Sequence, residues 1–409
     1  MILKKNVICL FLLSFMASSA IAQNTENLTF KGEFIYGTIL KHTEHLKNIV
    51  KGPVMGGEIS VEWQSADGWH RYFNYPYLGV GAAYLNFGNP DTLGNALAIY
   101  PYINFSIIRS GRFSVNFKAG AGLSYVTRTF ADFRENVMRV QGDSLWLDYK
   151  KSNAAIGSPL NVYFAAGFNA DVPLSDNISL TAEYGWNHIS NGMIKAPNSG
   201  INMLNAFIGL KYTPNYDARK NEYLRYYYAP DIPRNISVEI TASGGLRQRY
   251  MRDGGEGYGK TFPIASLAAA VYKPITNFYR MGIGGDFFYD GVYTSGLSSG
   301  YKREYITVDE LKNKLRFGLS WQNELIMGRL TAGIHAGVYL FNPVKNLEPY
   351  GSVSSKGIIY PYNPEEEVGW FYTRVSGKYL LAKHIYASIG LKTHLQKAEF
   401  IEWGLGYRF

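Results

Sequence analysis

One cysteine in 409 residues, and that one at position 9, removes most thiol chemistry from consideration. Cys9 lies in an N-terminal segment with the marks of a secretory leader. Lys4 and Lys5 precede an apolar stretch from Val7 to about Met16, and Ala20-Ile21-Ala22 offers a small-x-small cleavage site before Gln23. The stretch is too short to cross a bilayer as a helix, so residues 1–22 are expected to be a cleaved signal peptide. The mature chain would then lack cysteine, which excludes disulfides, thiol nucleophiles and thiolate metal sites. Cys9 also precedes most of the apolar run, which argues against a lipoprotein cleavage site. Long hydrophobic runs are missing too: past the leader no stretch reaches about 18 apolar residues, so no transmembrane helix is expected. Dense basic runs are absent, so nucleic acid is not an expected partner. The net charge of +9 falls to +7 without Lys4 and Lys5, because residues 1–22 contain no acid, and that modest excess suits anionic lipid head groups.

What the chain has in quantity is aromatic and small: 33 Tyr, 23 Phe and 43 Gly. An exported, Tyr-rich, Gly-rich chain matches the aromatic girdles of a transmembrane β-barrel, although a secreted β-sandwich shares part of that composition. Alternating segments separate the two. In the first half they lie near 30–43, 55–65, 77–88, 95–108, 112–128, 160–175, 177–189 and 203–213. In the second half they lie near 236–250, 262–275, 280–292, 314–326, 330–341, 368–381, 385–395 and 400–409. Short turns such as Arg109-Ser110-Gly111-Arg112, Ser175-Asp176-Asn177 and Met327-Gly328-Arg329 alternate with long connections such as 41–55, 129–159 and 342–367. Short periplasmic turns and long external loops are the asymmetry of outer-membrane barrels.

Each half holds about eight strands, the minimum for closure. Residues 214–235 are polar, charged and Pro-bounded, a linker much longer than a periplasmic turn. The expected fold is therefore all-β: a transmembrane antiparallel barrel unit over 23–213, a periplasmic linker, and a second eight-stranded unit over 236–409. One barrel of about sixteen strands fits the same strand count. The chain ends with Trp403, Leu405, Tyr407 and Phe409 on one face. A terminal aromatic on such a strand resembles the signal read by the barrel-assembly machinery, an expected partner, and places the protein in the cell outer membrane.

One segment carries candidate chemistry: Trp186-Asn187-His188-Ile189-Ser190-Asn191-Gly192, followed by Lys195-Ala196-Pro197-Asn198-Ser199-Gly200-Ile201-Asn202. In the seventh strand Ile178, Leu180, Ala182, Tyr184 and Trp186 form an apolar face opposite Ser179, Thr181, Glu183 and Asn187. Barrels of this size turn the apolar face to lipid, so His188 and Ser190 continue a lipid-facing row. On the eighth strand Asn202 precedes Leu204 and Ala206 on the equivalent face. Ser and His two apart on a strand stand about 7 Å apart at Cα, close enough for the imidazole to reach the hydroxyl. Polar groups on a lipid wall cost free energy, and function is a natural reason for them. Interfacial and loop residues would give the same pattern, since H-x-S alone is weak.

The stretch His188-x-Ser190-Asn191 through Lys195-x-Pro197-Asn198-x-Gly200-Ile201 resembles the signature of the outer-membrane lipid A 3-O-deacylase (acyloxyacyl hydrolase) family. That resemblance implies an eight-stranded barrel that removes an ester-linked acyl chain from lipid A of lipopolysaccharide, with its active site on the outer wall. It implies Ser190 as nucleophile, His188 as general base, Asn198 as an oxyanion donor and Asn191 as a weaker candidate for that job. The family has Glu where this chain has Asn202. An Asn can orient the imidazole, as in Cys-His-Asn proteases, but supplies no negative charge. No metal or organic cofactor is required by such a scheme. In the second half, His394 is expected to join Lys392 and Glu402 in a lumenal network, without a second active site. The alternatives that stay open are a non-catalytic barrel, either a pore or a decayed hydrolase, and an esterase acting on another outer-leaflet lipid.

Overall fold

The computed structural model describes residues 28–64, 68–133, 138–141, 144–147, 152–214, 235–248, 260–293, 311–343, 355–356, 361–362, 370–394 and 397–409. The expected leader and nearly all of the 214–235 linker lie outside the described residues. Two closed barrels account for almost everything else. The first comprises β1 (Thr29–Ile39), β2 (Val54–Gln64), β3 (Tyr77–Asn86), β4 (Asn95–Ser110), β5 (Phe113–Val126), β6 (Leu160–Pro173), β7 (Ile178–Ser190) and β8 (Ile201–Tyr212). The second comprises β9 (Ser237–Gln248), β10 (Thr261–Pro274), β11 (Tyr279–Asp290), β12 (Leu315–Met327), β13 (Leu330–Phe341), β14 (Phe371–Leu380), β15 (Ile385–His394) and β16 (Lys397–Arg408). Antiparallel pairing of β1 with β8 closes the first, and of β9 with β16 the second, so the chain forms two eight-stranded barrels and not one of sixteen.

Alternation holds along the walls. Outward residues such as Ile59, Phe168, Tyr184 and Ile208 in the first barrel, and Ile283, Ile334 and Leu405 in the second, are exposed. Their neighbours in sequence turn inward and are buried, as the period of two requires. The last strand behaves as its pattern predicts, with Trp403, Leu405, Tyr407 and Phe409 all on the outside. Two connections carry short helices. The inner connection after β2 carries a 3-10 helix, Gly68–Phe73. The outer loop after β1 carries a short helix, α1 (Glu44–Ile49), whose first turn is capped by Thr43 Oγ1 accepting from the Leu46 N–H at 3.2 Å.

Both lumens are filled by charge. In the first, Lys118 meets Glu183 at 2.7 Å and Glu58 at 3.3 Å, and Lys211 meets Asp171 at 2.8 Å and Glu62 at 3.2 Å. Tyr100 donates to Glu58 at 2.7 Å, and Asn104 and Asn116 both donate to Asn169. In the second, Glu239 and Glu324 each bind both Arg280 and Lys378, while Arg374 bridges Asp286 at 2.7 Å and Glu402 at 2.8 Å. Such packed lumens are ordinary for eight strands. The expected network of His394, Lys392 and Glu402 is corrected here. His394 and Lys392 pair with Glu399, and Glu402 serves Arg374. The register between β15 and β16 slips at Lys392/Thr393, leaving Glu399 as the extra residue of a bulge and turning its carboxylate inward. A strict alternation drawn back from the terminus cannot anticipate that slip.

Lys118 is fully buried and holds two carboxylates. Lys118→Ala is expected to destabilise the first barrel by about 3–5 kcal/mol, because it strands buried charges without a partner. Urea unfolding in detergent micelles, followed by heat-modifiable gel mobility, measures this; an unchanged midpoint would show that the cluster contributes nothing.

Candidate active site

The β7–β8 register places Asn202 directly opposite His188, Leu204 opposite Trp186 and Ala206 opposite Tyr184. His188, Ser190 and Asn202 therefore share the outward row at the external end of the sheet. They are more sheltered than a bare lipid face would leave them: His188 is half-buried, and Ser190 and Asn202 are 7% and 8% exposed. The cover comes from two sides. The indole of Trp186 stacks on the imidazole with centroids 5.6 Å apart and planes at 15°. The β7–β8 loop returns over the ring, so that a Cβ on Gly200 would stand 2.7 Å from His188 Cε1. Gly200 has φ +73°, so glycine is required there both for the backbone and for the close approach.

Three hydrogen bonds link the row. His188 Nε2 and Ser190 Oγ are 2.8 Å apart, and His188 Nδ1 and Asn202 Oδ1 are also 2.8 Å apart. Trp186 Nε1 donates to the same Asn202 Oδ1 at 3.2 Å. An indole N–H can only donate, so the Asn202 atom it meets acts as acceptor, and His188 Nδ1 must be the protonated nitrogen. Nε2 then has a lone pair free to accept the Ser190 hydroxyl proton. In this arrangement Asn202 sets the tautomer.

The other two expected residues lie in the loop. Asn198 Oδ1 accepts the Asn191 N–H at 3.1 Å, which fixes the Asn198 carboxamide beside the residue that follows Ser190. The Asn191 carboxamide is spent on the loop itself, donating to Ser158 Oγ and Lys195 O at 2.9 Å each and accepting from Lys195 N–H at 3.3 Å. Its geometry is that of a loop clamp. Glu183 faces the lumen against Lys118 and is not part of the row. The sequence pattern did not single out His42, whose Nε2 lies 3.2 Å from Ser199 O, or Ser158, which precedes Asn191 by 33 residues in the chain and accepts from its carboxamide. The alternation gives Trp186 as an apolar wall residue and says nothing of its indole N–H as a donor. Only its position two residues before His188, on the same face, could have suggested it. Among the described residues, no group of three or more His, Cys, Asp and Glu is placed to hold a metal.

Selective 15N labelling of histidine tests the tautomer. The His188 signal is expected to show a protonated Nδ1 and an unprotonated Nε2, and Asn202→Leu to replace this with a tautomer mixture. A wild-type signal protonated at Nε2 would contradict the relay.

Comparison with known proteins adds the following. The family model for Lipid A 3-O-deacylase (PagL) matches residues 55–211, and the model for Acyloxyacyl hydrolase, C-terminal domain, matches residues 236–352 and 350–409. Among solved structures, the outer membrane enzyme PagL is 17% identical and covers 44% of this chain and 98% of its own, with a TM-score of 0.29. Neisserial surface protein A is 10% identical over 45% of this chain and 96% of its own, also at 0.29. A Rhodopseudomonas blastica porin is 9% identical over 93% of this chain and 100% of its own, at 0.18. These structural likenesses carry no functional weight. No curated protein matches the chain. The family models fall on the two barrels seen here: the first barrel belongs to the lipid A 3-O-deacylase family of outer-membrane hydrolases, and the second is an acyloxyacyl hydrolase C-terminal domain.

Proposed function

We propose that the protein removes an ester-linked acyl chain from lipid A at the outer wall of its first barrel, using Ser190 as nucleophile. The observation that carries this reading is the relay Ser190–His188–Asn202, with both contacts at 2.8 Å. Ser190 Oγ attacks the ester carbonyl carbon while His188 Nε2 takes its proton. The oxyanion is held by the Asn198 carboxamide with backbone help from the loop. As the carbonyl carbon–sugar oxygen bond breaks, the imidazolium gives its proton to the departing sugar oxygen, which leaves as a hydroxyl, and an acyl-serine remains. Water, activated by the same imidazole, then releases the fatty acid and restores Ser190.

Depth supports the substrate. Ser190 is the last residue of β7, at the external end of the wall, where head groups and the first acyl carbons of the outer leaflet lie. Asn202 provides no negative charge to stabilise the imidazolium. Trp186 supplies part of what is missing, because the face of an indole within about 6 Å attracts a cation, an effect worth about 0.5–2 kcal/mol. A slower enzyme than one with a carboxylate in that position is the consequence. Cleavage of residues 1–22 on export, and delivery by the barrel-assembly machinery through the aromatic-ended β16, belong to the same proposal.

Mass spectrometry of lipid A from cells making the wild type or Ser190→Ala tests the reading. Loss of one ester-linked acyl chain is expected with the wild type only. Asn202→Glu is expected to raise the rate, and His188→Ala to lower it by about 10²–10⁴-fold, the usual contribution of a general base. Intact lipid A with folded wild type would favour a decayed hydrolase. Acyl loss from glycerophospholipid instead would move the substrate and keep the relay.

A further inference from the structure

The loop between β7 and β8 is held from outside as well as from within its own barrel, and the outer hold comes from the second barrel. Gln248, the last residue of β9, donates its backbone N–H to Met193 O at 2.8 Å. Its side-chain Oε1 accepts the Ala196 N–H at 3.2 Å, and its Nε2 donates to Thr261 Oγ1 at 3.0 Å. Thr261 is the cross-strand neighbour of Gln248 on β10, so the second barrel's own sheet aims the carboxamide that grips the loop. Ile401 of β16 packs on Gly192, where a Cβ would come within 2.4 Å of two Ile401 carbons.

These contacts fall on the strained part of the loop. Gly192 and Met193 are consecutive left-handed residues, at φ +57° and +68°. Glycine adopts that conformation freely, but methionine does not and keeps it only where its surroundings impose it. Met193 is the residue whose carbonyl Gln248 binds. The gripped stretch, Gly192 to Ala196, lies between Ser190-Asn191 and Asn198, and so sets where the Asn198 carboxamide stands relative to the Ser190 hydroxyl. The second barrel is also pinned at the opposite end. Asn277 donates to Tyr72 OH at 3.1 Å, Phe73 meets Phe278 at 5.2 Å between centroids, and Trp69 lies against Gly328. The 3-10 helix in the first barrel's inner turn provides all three first-barrel partners. Two attachments, one at each membrane face, prevent the second barrel from swinging away from the loop.

We propose that the second barrel is a fixed buttress for the oxyanion side of the Ser190 site, with Gln248 as a positioning residue that acts through the Gly192–Ala196 backbone. The role given to the site rests on the hydrolase reading above; the buttress contact itself does not. Displacement of a reacting group by about 1 Å costs on the order of 10²-fold in rate, so even a small relaxation of the loop is measurable.

Two measurements on the full chain in membranes test it. The first is a cross-link, Gly192→Cys with Ile401→Cys. The Gly192 Cβ position lies 3.5 Å from Ile401 Cβ, within the roughly 3.5–4.5 Å span of a disulfide, and the only other cysteine is Cys9. With a protease site inserted between 214 and 235, the two barrels are expected to stay together on a non-reducing gel after cleavage and to separate on reduction. Separation without reductant, in protein whose heat-modifiable mobility shows both barrels folded, overturns the buttress. The second is the rate of Ser190 labelling by a fluorophosphonate, alongside kcat and KM for fatty-acid release from lipid A. Gln248→Ala is expected to lower labelling and kcat by about tenfold or more with KM unchanged, and Gln248→Glu, which keeps an acceptor for Ala196, to recover most of it. Wild-type rates in Gln248→Ala, or no recovery in Gln248→Glu, overturn the positioning role. A wild type that neither labels nor cleaves, while the Gly192→Cys/Ile401→Cys variant forms the cross-link, overturns the hydrolase reading instead.

Discussion

Within hydrocarbon no water completes an open backbone hydrogen bond, and every other feature of this chain follows from how that requirement is met. Each sheet closes on itself, β1 to β8 and β9 to β16, leaving no edge. Closure at eight strands brings the inward side chains into contact, so polar residues there must satisfy one another. They do so through ion pairs such as Lys118 with Glu183 and Arg374 with Asp286. A lumen filled in this way has no room for a lipid. Any chemistry on a lipid substrate is therefore confined to the outer wall and the loops above it, where polar groups are expensive unless they bind each other. The row of His188, Ser190 and Asn202 meets that condition: each member uses another as its hydrogen-bond partner, and the loop shields the group from the acyl phase.

In the proposed relay, an amide at position 202 separates two functions that a catalytic carboxylate normally combines. One is geometric: an acceptor oxygen holds the imidazole in the tautomer with Nε2 unprotonated. Asn202 performs this, and the Trp186 indole, by donating to the same oxygen, keeps the amide from turning its NH2 toward the ring. The other is electrostatic, the stabilisation of imidazolium, and an amide dipole supplies little of it. The stacked indole face contributes attraction from a different direction. The same side chain thus fixes the orientation of Asn202 and faces the charge that the proposed acyl transfer would place on His188.

The wall was legible in the sequence because a period of two needs no distant information. Ile178 through Trp186 alternate strictly, and the same count carried two residues further gives the faces of His188 and Ser190. Counting on the eighth strand put Asn202 on the matching row, and the register opposite His188 agrees. What was not legible involves slips in the count or contacts between segments far apart in sequence. The bulge at Lys392/Thr393 exchanged Glu402 for Glu399, because one extra residue inverts every face behind it. The loop over the site is bonded by Ser158 at Asn191 and by His42 at Ser199, each from a different loop, and no local pattern predicts such contacts. Two barrels rather than one were suggested by the length of the linker, a coarse signal that survives because an inner turn in a single barrel has no use for so many residues.

Gln248 and Ile401 illustrate the limit most sharply. Nothing around either residue differs from ordinary strand sequence, and their relation to the loop exists only once both barrels have closed and come together. That arrangement also gives a physical reason for a second barrel in such a chain. An eight-stranded barrel alone can rigidify the strand that carries Ser190, but the loop beyond it projects from the membrane with one flank open, and its left-handed turn at Gly192-Met193 is costly to hold. A second rigid wall anchored at both membrane faces closes that flank, while Trp186 stays exposed and His188 half-buried on the outward row. Rigidity is supplied from one side and access is left on the other, a division that a single cylinder with a free loop cannot achieve.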